Sequence, residues 1–443
     1  MIARAAGSRE RLFLIMAAYA VAWFLLIRLP GDILRAPNAG SDLSSYYTAG
    51  YLVRTGQAGS LYDVQPGDTI LGDATGGPWR EAGTKMGVGR QQHYYIYPPF
   101  FALLASPLSL LSFAAARLGW LGLELLILVC IVGAYALSRR GDGTALTPPE
   151  WALIAITMGL EFLPLIWELA IGQTSLVLMA LLVACLFFMK RGQQTAAGIL
   201  LGIAAGIKLT PVLLVVYCAL RGRMKAALWA AAALAVTLIV PVILLGPAVS
   251  IRFFAEVVPM MSGGTSYFLN QSLTGFFDRL LDAADPREVA LATSSAARGL
   301  AITCGLIMLS ITTVRIRSLG AGRPEGLALD LEFWAVFLLT LMLSPISWAH
   351  HYLPALVCVW TIVAVASRSG RRSLLLALSA GVAFLLIARK PHADLFLGGI
   401  GRLGLSASLY GGLILWGACL ILMSWTGPGA QRQPTSVELR DAA

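Results

Sequence analysis

Asp42 is the residue whose neighbourhood could do chemistry. It opens the stretch Ser41-Asp42-Leu43-Ser44-Ser45-Tyr46-Tyr47-Thr48-Ala49-Gly50-Tyr51, which sets one carboxylate beside tyrosines just after an apolar run. A carboxylate so placed can take a proton from a hydroxyl. It also stands where a helix N-cap belongs, because Leu43, Tyr46, Tyr47, Gly50 and Tyr51 recur at helical spacing and Gly56 sits where the helix would stop. The spacing predicts a short helix lying on a membrane surface, with Asp42 as its cap or as a base.

Further polar groups gather at the ends of apolar runs or in the loops between them: His93, Tyr97, Glu168, Gln173, Lys208, Asn270, Gln271, His350 and His351. Such groups are costly in a bilayer and mark function by default. Lys208 lies between two short apolar runs at Gly206-Ile207-Lys208-Leu209-Thr210-Pro211. Broken backbone of this kind is tolerated where it lines a protein cavity, so Lys208 either points into one or snorkels to the interface. His350 and His351 are adjacent, and neighbours on a helix point about 100° apart, so only one is expected to face a cavity. No third ligand stands at a metal-site spacing from them, and no metal is expected.

The elements that must position these groups follow from composition. The chain has 443 residues, 58% of them hydrophobic and 13% charged, with a mean hydropathy of +0.76. That excludes a soluble globule and predicts an all-α polytopic membrane protein. The net charge of +10 comes as twos and threes of Lys and Arg between apolar runs, the pattern of positive-inside topology and not of nucleic-acid binding. The six cysteines fall in or beside apolar runs, with no metal spacing or disulfide framework. Twelve spans are predicted, at about 12–28, 115–137, 151–170, 175–189, 195–207, 210–220, 226–245, 297–314, 329–345, 352–367, 373–388 and 405–424. The run 98–113, broken by Pro98, Pro99 and Pro107, is left uncrossed as an in-plane helix; otherwise every later basic cluster would be inverted. Residues 1–425 then form one transmembrane domain with outer loops at 30–97 and 246–296, and 426–443 a disordered cytoplasmic tail.

Asp42 with Tyr46-Tyr47-Thr48-Ala49-Gly50, Tyr97-Pro98-Pro99 with Pro107-Leu108, Gly172-Gln173, Gly202 through Lys208 with Pro211, Asn270-Gln271-Ser272, and Ser344-Pro345 through His350-His351-Tyr352 together resemble glycosyltransferase family 87. This family has the GT-C fold and includes mycobacterial polyprenyl-phosphate-mannose-dependent mannosyltransferases. The resemblance runs from about residue 10 to 425. It implies an inverting glycosyltransferase of the bacterial inner membrane. A hexose or pentose, mannose among the candidates, would pass from a polyprenyl-phosphate donor to a lipid-linked or glycan acceptor on the periplasmic side.

On that reading Asp42 is the base, Lys208 and one of His350 or His351 bind the donor phosphate, and Tyr46, Tyr47, Tyr97, Gln173, Asn270 and Gln271 bind substrate. Relatives that hold a metal usually show paired acidic residues in the first outer loop, whereas Asp42 has Ser41 and Ser44 as close neighbours. Metal-independent, cofactor-free transfer by a monomer is therefore expected. Two other classes share the membrane setting: a flippase of lipid-linked sugars, against which the absence of a visible internal repeat weighs, and a polymerase or ligase using a diphosphate-linked donor.

Overall fold

The computed structural model describes residues 8–159, 162–281, 285–291, 293–320, 323–366, 373–389 and 399–425; the predicted tail 426–443 lies outside them. The chain folds into helices α1 (Ser8–Trp23), α2 (Ser41–Arg54), α3 (Gly77–Lys85), α4 (Pro99–Ala105), α5 (Phe113–Gly141), α6 (Pro148–Gly159), α7 (Leu163–Ile171), α8 (Ser175–Lys190), α9 (Gln194–Ile207), α10 (Val212–Leu220), α11 (Met224–Leu245), α12 (Pro247–Arg252), α13 (Val258–Ser262), α14 (Leu273–Leu281), α15 (Ser295–Ser318), α16 (Gly326–Leu343), α17 (Ala355–Ala366), α18 (Ser373–Ala388) and α19 (Ala407–Leu422). Among the described residues there is no strand, only two isolated antiparallel bridges, Asp73 with His93 and Asn270 with Trp348.

Every predicted span carries helix, but not every one of these helices is long enough to cross a bilayer unaided. Among the described residues seven helices are long and apolar enough to cross a bilayer, eight if the pair α6 and α7, bent by 52°, is one broken span. A perpendicular crossing takes about 20 residues. The 16 residues of α8, the 14 of α9 and the 9 of α10 fall short. The break at Lys208–Pro211 is the reason for the last two, since α9 ends in extended backbone at Lys208 and Pro211 caps α10.

Burial separates lipid-facing from central helices. The apolar window of α11 is 17% buried and that of α5 28%, against 78% for α16 and 89% for the stretch Ala349–Ala366. Leu, Ile and Val are exposed along α5, α11 and α15, as a helix facing hydrocarbon requires. Inside, Gly198, Gly202 and Gly206 form a stripe on α9, one turn apart, pressed on α11: a Cβ at Gly202 would stand 2.3 Å from the Ala230 carbonyl oxygen. Small residues at this spacing let helix backbones touch, and the contact fixes Lys208 at the end of α9.

One end of the bundle is tied by ion pairs. Lys190 bridges Asp142 (2.8 Å) and Asp330 (2.6 Å), and Arg221 pairs with Glu332 at 2.9 Å. The predicted cytoplasmic loops thus meet at one end, and Gln173, Lys208 and His350 stand at the other ends of the same helices.

The α2 helix is not a surface helix. Ser41 and every residue from Leu43 to Leu52 are buried beneath α3, α4 and the turn Ser106–Leu110. Its small polar residues make this possible by bonding inside the protein, Ser44 to the Ser41 carbonyl (2.6 Å) and Ser45 to that of Tyr94 (3.0 Å). The seven residues of α4 are too few to span a bilayer.

Candidate active site

Gly172 builds the floor of the site. It ends α7 at φ +72°, a conformation that glycine adopts freely, and a Cβ there would meet Leu43 at 2.9 Å. The chain can therefore turn at once into α8, and the Glu168 carboxylate fixes the turn by accepting the Leu176 N–H at 2.7 Å. Gln173, held in this turn, meets α2. Its Oε1 accepts hydrogen bonds from the hydroxyls of Tyr46 and Tyr97 (2.7 Å) and from the Thr174 N–H (2.8 Å). With Oε1 so engaged, Nε2 can only donate, and it lies 2.5 Å from Asp42 Oδ2 and 3.3 Å from His350 Nε2.

The cap reading of Asp42 is overturned by this geometry. The N-cap of α2 is Gly40, and Asp42 sits in the first turn with its carboxylate turned away from the helix backbone, Oδ1 2.9 Å from His93 Nδ1 and Oδ2 on Gln173. Burial would raise the Asp42 pKa, but the hydrogen bond and charge of His93, with the charges of His350 and Lys208, outweigh it and leave it below the usual 3.8. His93 shifts upward from 6.5, because the Asp42 bond and the Asp42 and Asp73 charges overcome burial. Both directions favour the charged forms, as expected where a carboxylate and an imidazole share a hydrogen bond.

Asp42 opens onto a cavity of about 380 Å³ walled by Tyr46, Tyr97, Trp167, Tyr267, Trp348 and His350. Beside it lies a second, more apolar cavity of about 250 Å³, lined by Pro98, Lys208, Phe253, Met261, Ile346 and His351. Ile96, Tyr97 and Trp348 belong to both and form the wall between them. The two histidines face opposite ways, their rings perpendicular (87°) with centroids 4.7 Å apart. The expectation that only one faces a cavity is corrected: each has its own. Lys208 does not reach out to snorkel; its Nζ lies 2.7 Å from His351 Nε2.

Three expected substrate ligands are not placed to act. Tyr47 bonds the Leu111 carbonyl (2.7 Å) and packs on Phe113, since a step of one residue on α2 turns it away from Tyr46. Asn270 and Gln271 are wholly buried and spend their amides on backbone. Asn270 donates to the carbonyls of Thr265 and Pro345 and accepts from the Ser347 N–H, while Gln271 donates to those of Phe268 and Leu405 and accepts from the Ser408 N–H. They brace the turn that carries Trp348, His350 and His351. Sequence reasoning marked His93 as unusual without giving it a role, and missed Asp73, Trp167, Tyr267 and Trp348; the aromatic run His93-Tyr94-Tyr95-Ile96-Tyr97 was the available signal for His93. Among the described residues no three His, Cys, Asp or Glu side chains gather as a metal site would require.

The sequence profile of glycosyltransferase family 87 matches residues 95–345, more than half of the chain. The chain belongs to glycosyltransferase family 87. A curated relative, the polyprenol-phosphate-mannose-dependent alpha-(1-2)-phosphatidylinositol pentamannoside mannosyltransferase of Mycobacterium tuberculosis, is 29% identical over 75% of this chain and 72% of its own length. The protein of the same name from Mycolicibacterium smegmatis is 31% identical over 60% of this chain and 59% of its own. A polyprenol-phosphate-mannose-dependent alpha-(1-2)-phosphatidylinositol mannoside mannosyltransferase of M. tuberculosis is 28% identical over 61% of each. No solved structure matches. As a member of this family the protein is an all-α membrane glycosyltransferase, which sets aside the flippase reading. The matched stretch holds Tyr97, Gln173 and Lys208, while Asp42 and His93 precede it and the histidine pair follows it.

Proposed function

We propose that the protein transfers a sugar from a polyprenyl-phosphate carrier to a lipid-linked or glycan acceptor at the extracytoplasmic face of the inner membrane, by a single, inverting, metal-independent displacement. The observation that carries this is the meeting of two unlike cavities at Tyr97 and Trp348. The apolar one suits a prenyl chain ending in phosphate, and the aromatic one suits a sugar and an acceptor hydroxyl beside a carboxylate. The names of the relatives support the donor class.

His351 adds a chemical argument. A neutral imidazole has one acceptor nitrogen, yet both nitrogens of His351 face donors, the Trp348 N–H at 3.2 Å and the Lys208 ammonium at 2.7 Å. A phosphate oxygen beside Lys208 relieves the conflict by accepting from both side chains. In the reaction, Asp42 takes the proton of the acceptor hydroxyl as its oxygen attacks the anomeric carbon, the bond to phosphate breaks through an oxocarbenium-like state, and Lys208 and His351 hold the developing phosphate charge. His350, on the Asp42 side, and the hydroxyls of Tyr46 and Tyr97 locked on Gln173 shape the sugar pocket.

The test is transfer by the purified protein in lipid nanodiscs, offered a series of polyprenyl-phosphate sugars with mannose first and a bacterial lipid extract as acceptor. Label should move from a polyprenyl-phosphate sugar into lipid or glycan. Transfer only from a polyprenyl-diphosphate-linked donor would favour the polymerase or ligase reading instead.

A further inference from the structure

Of the two side chains that bond the Asp42 carboxylate, only one can accept a proton. Gln173 is an amide fixed by Tyr46 and Tyr97; His93 is an imidazole whose far nitrogen, Nε2, lies 3.6 Å from Asp73 Oδ1. Side-chain exposure rises along the series, from 19% at Asp42 to 35% at His93 and 45% at Asp73. The backbone holds the last two together: Asp73 and His93 form an antiparallel bridge, the Ala74 N–H bonds the Gln92 carbonyl at 2.9 Å, and the Trp79 indole N–H bonds the His93 carbonyl at 3.2 Å.

We propose that His93 and Asp73 form a proton exit that carries the acceptor's proton from Asp42 to the aqueous surface. The inference rests on the reading of Asp42 as the base. In the resting site the imidazolium holds one proton on each nitrogen, Nδ1–H on Asp42 and Nε2–H toward Asp73. When Asp42 takes the acceptor's proton, the ring loses its counter-ion, and the Nε2 proton passes to Asp73 as the exposed carboxylate closes the 3.6 Å gap, and then to water. One proton has entered at the acceptor oxygen and one has left at Asp73. The carboxylic acid and neutral imidazole that remain carry as many protons as the resting pair, and the pair is restored when the ring turns over, so that its bare nitrogen faces Asp42 and takes the acid's proton while the remaining N–H faces Asp73. The other titratable groups acting on Asp42 are Lys208, at the end of α9, and His350, after α16; their bonds go to His351 and Gln173, not to the carboxylate. Asp42 and Asp73 are the acids acting on His93.

The experiment uses the full chain in nanodiscs with a saturating polyprenyl-phosphate sugar. His93→Asn keeps an amide donor near the Nδ1 position but cannot relay a proton, and kcat should fall roughly 10-fold, less than the ~10²-fold expected for loss of the base itself, with the donor KM and melting temperature held. In His93→Ala, imidazole and other small buffers should restore turnover in proportion to concentration, with rates that follow the buffer pKa. Asp73→Asn should fall in the same direction by less. Wild-type turnover in His93→Asn, or a His93→Ala deficit that no buffer relieves, overturns the relay. Asp42→Asn separates the two claims: if it is inactive while His93→Ala ignores buffers, the base stands and the exit falls, and if it is active the base reading itself fails.

Discussion

Gln173 and Asp42, 131 positions apart, meet through a 2.5 Å hydrogen bond from amide to carboxylate, and the orientation of that amide is imposed by Tyr46 and Tyr97 on its other face. The pair can be tested by charge. Gln173→Glu sets a second carboxylate against Asp42, and like charge disfavours ionisation, so the Asp42 pKa, now below 3.8, should rise. A base works when deprotonated, so the fall of kcat/KM at low pH should move to higher pH in the variant. An unmoved acid limb would mean that the two groups do not meet in the working enzyme.

The two histidines should fail in different ways. His351→Ala and Lys208→Ala act on the apolar cavity and should raise the KM for the polyprenyl-phosphate sugar, whereas His350→Ala acts beside Asp42 and should lower kcat with less effect on the donor KM. Steady-state kinetics of the three variants check this. Equal, mild effects of both histidine variants would remove them from the site.

Asn270 and Gln271 should behave as braces. Asn270→Ala leaves the Ser347 N–H and the Thr265 carbonyl without their Asn270 partner, and each buried orphan costs about 1–3 kcal/mol. Thermal melting should drop well below wild type. A variant that melts normally but changes sugar preference would restore the direct sugar-binding role.

Close packing of α9 on α11 gives a contrast within one residue type. Gly202→Ala drives a methyl into the Ala230 carbonyl and should destabilise by roughly 1–3 kcal/mol, while Gly122→Ala on α5 meets nothing within 4 Å and should melt as wild type. Equal melting of the two would show that α9 and α11 are not in contact.

Much of this was legible in the chain. Asp42, Tyr46, Tyr97, Gln173, Lys208 and the histidine pair stood out because ionisable and amide groups beside apolar runs are costly and therefore few. Helix positions followed from apolar runs, but helix lengths did not, since α9 and α10 read as membrane segments while being too short to cross alone. Tyr47 was misassigned because sequence proximity to Asp42 says nothing about which side of α2 it occupies. Asn270 and Gln271 were misread because an amide that binds sugar and one that satisfies a buried turn look alike until the turn is seen. His93 escaped assignment because its partner is 51 positions away and is set by a loop and not by a periodic element.

The central claim is that Asp42 is the base, and Asp42→Asn tests it most directly. Asn keeps the size of the side chain and Gly40 caps α2 in either case, so folding should survive. Sugar transfer by the purified variant from a polyprenyl-phosphate donor should fall by roughly 10²-fold or more, the usual scale for losing a general base, with melting close to wild type. Transfer within a few-fold of wild type would contradict the mechanism and leave the protein a member of its family without an identified base.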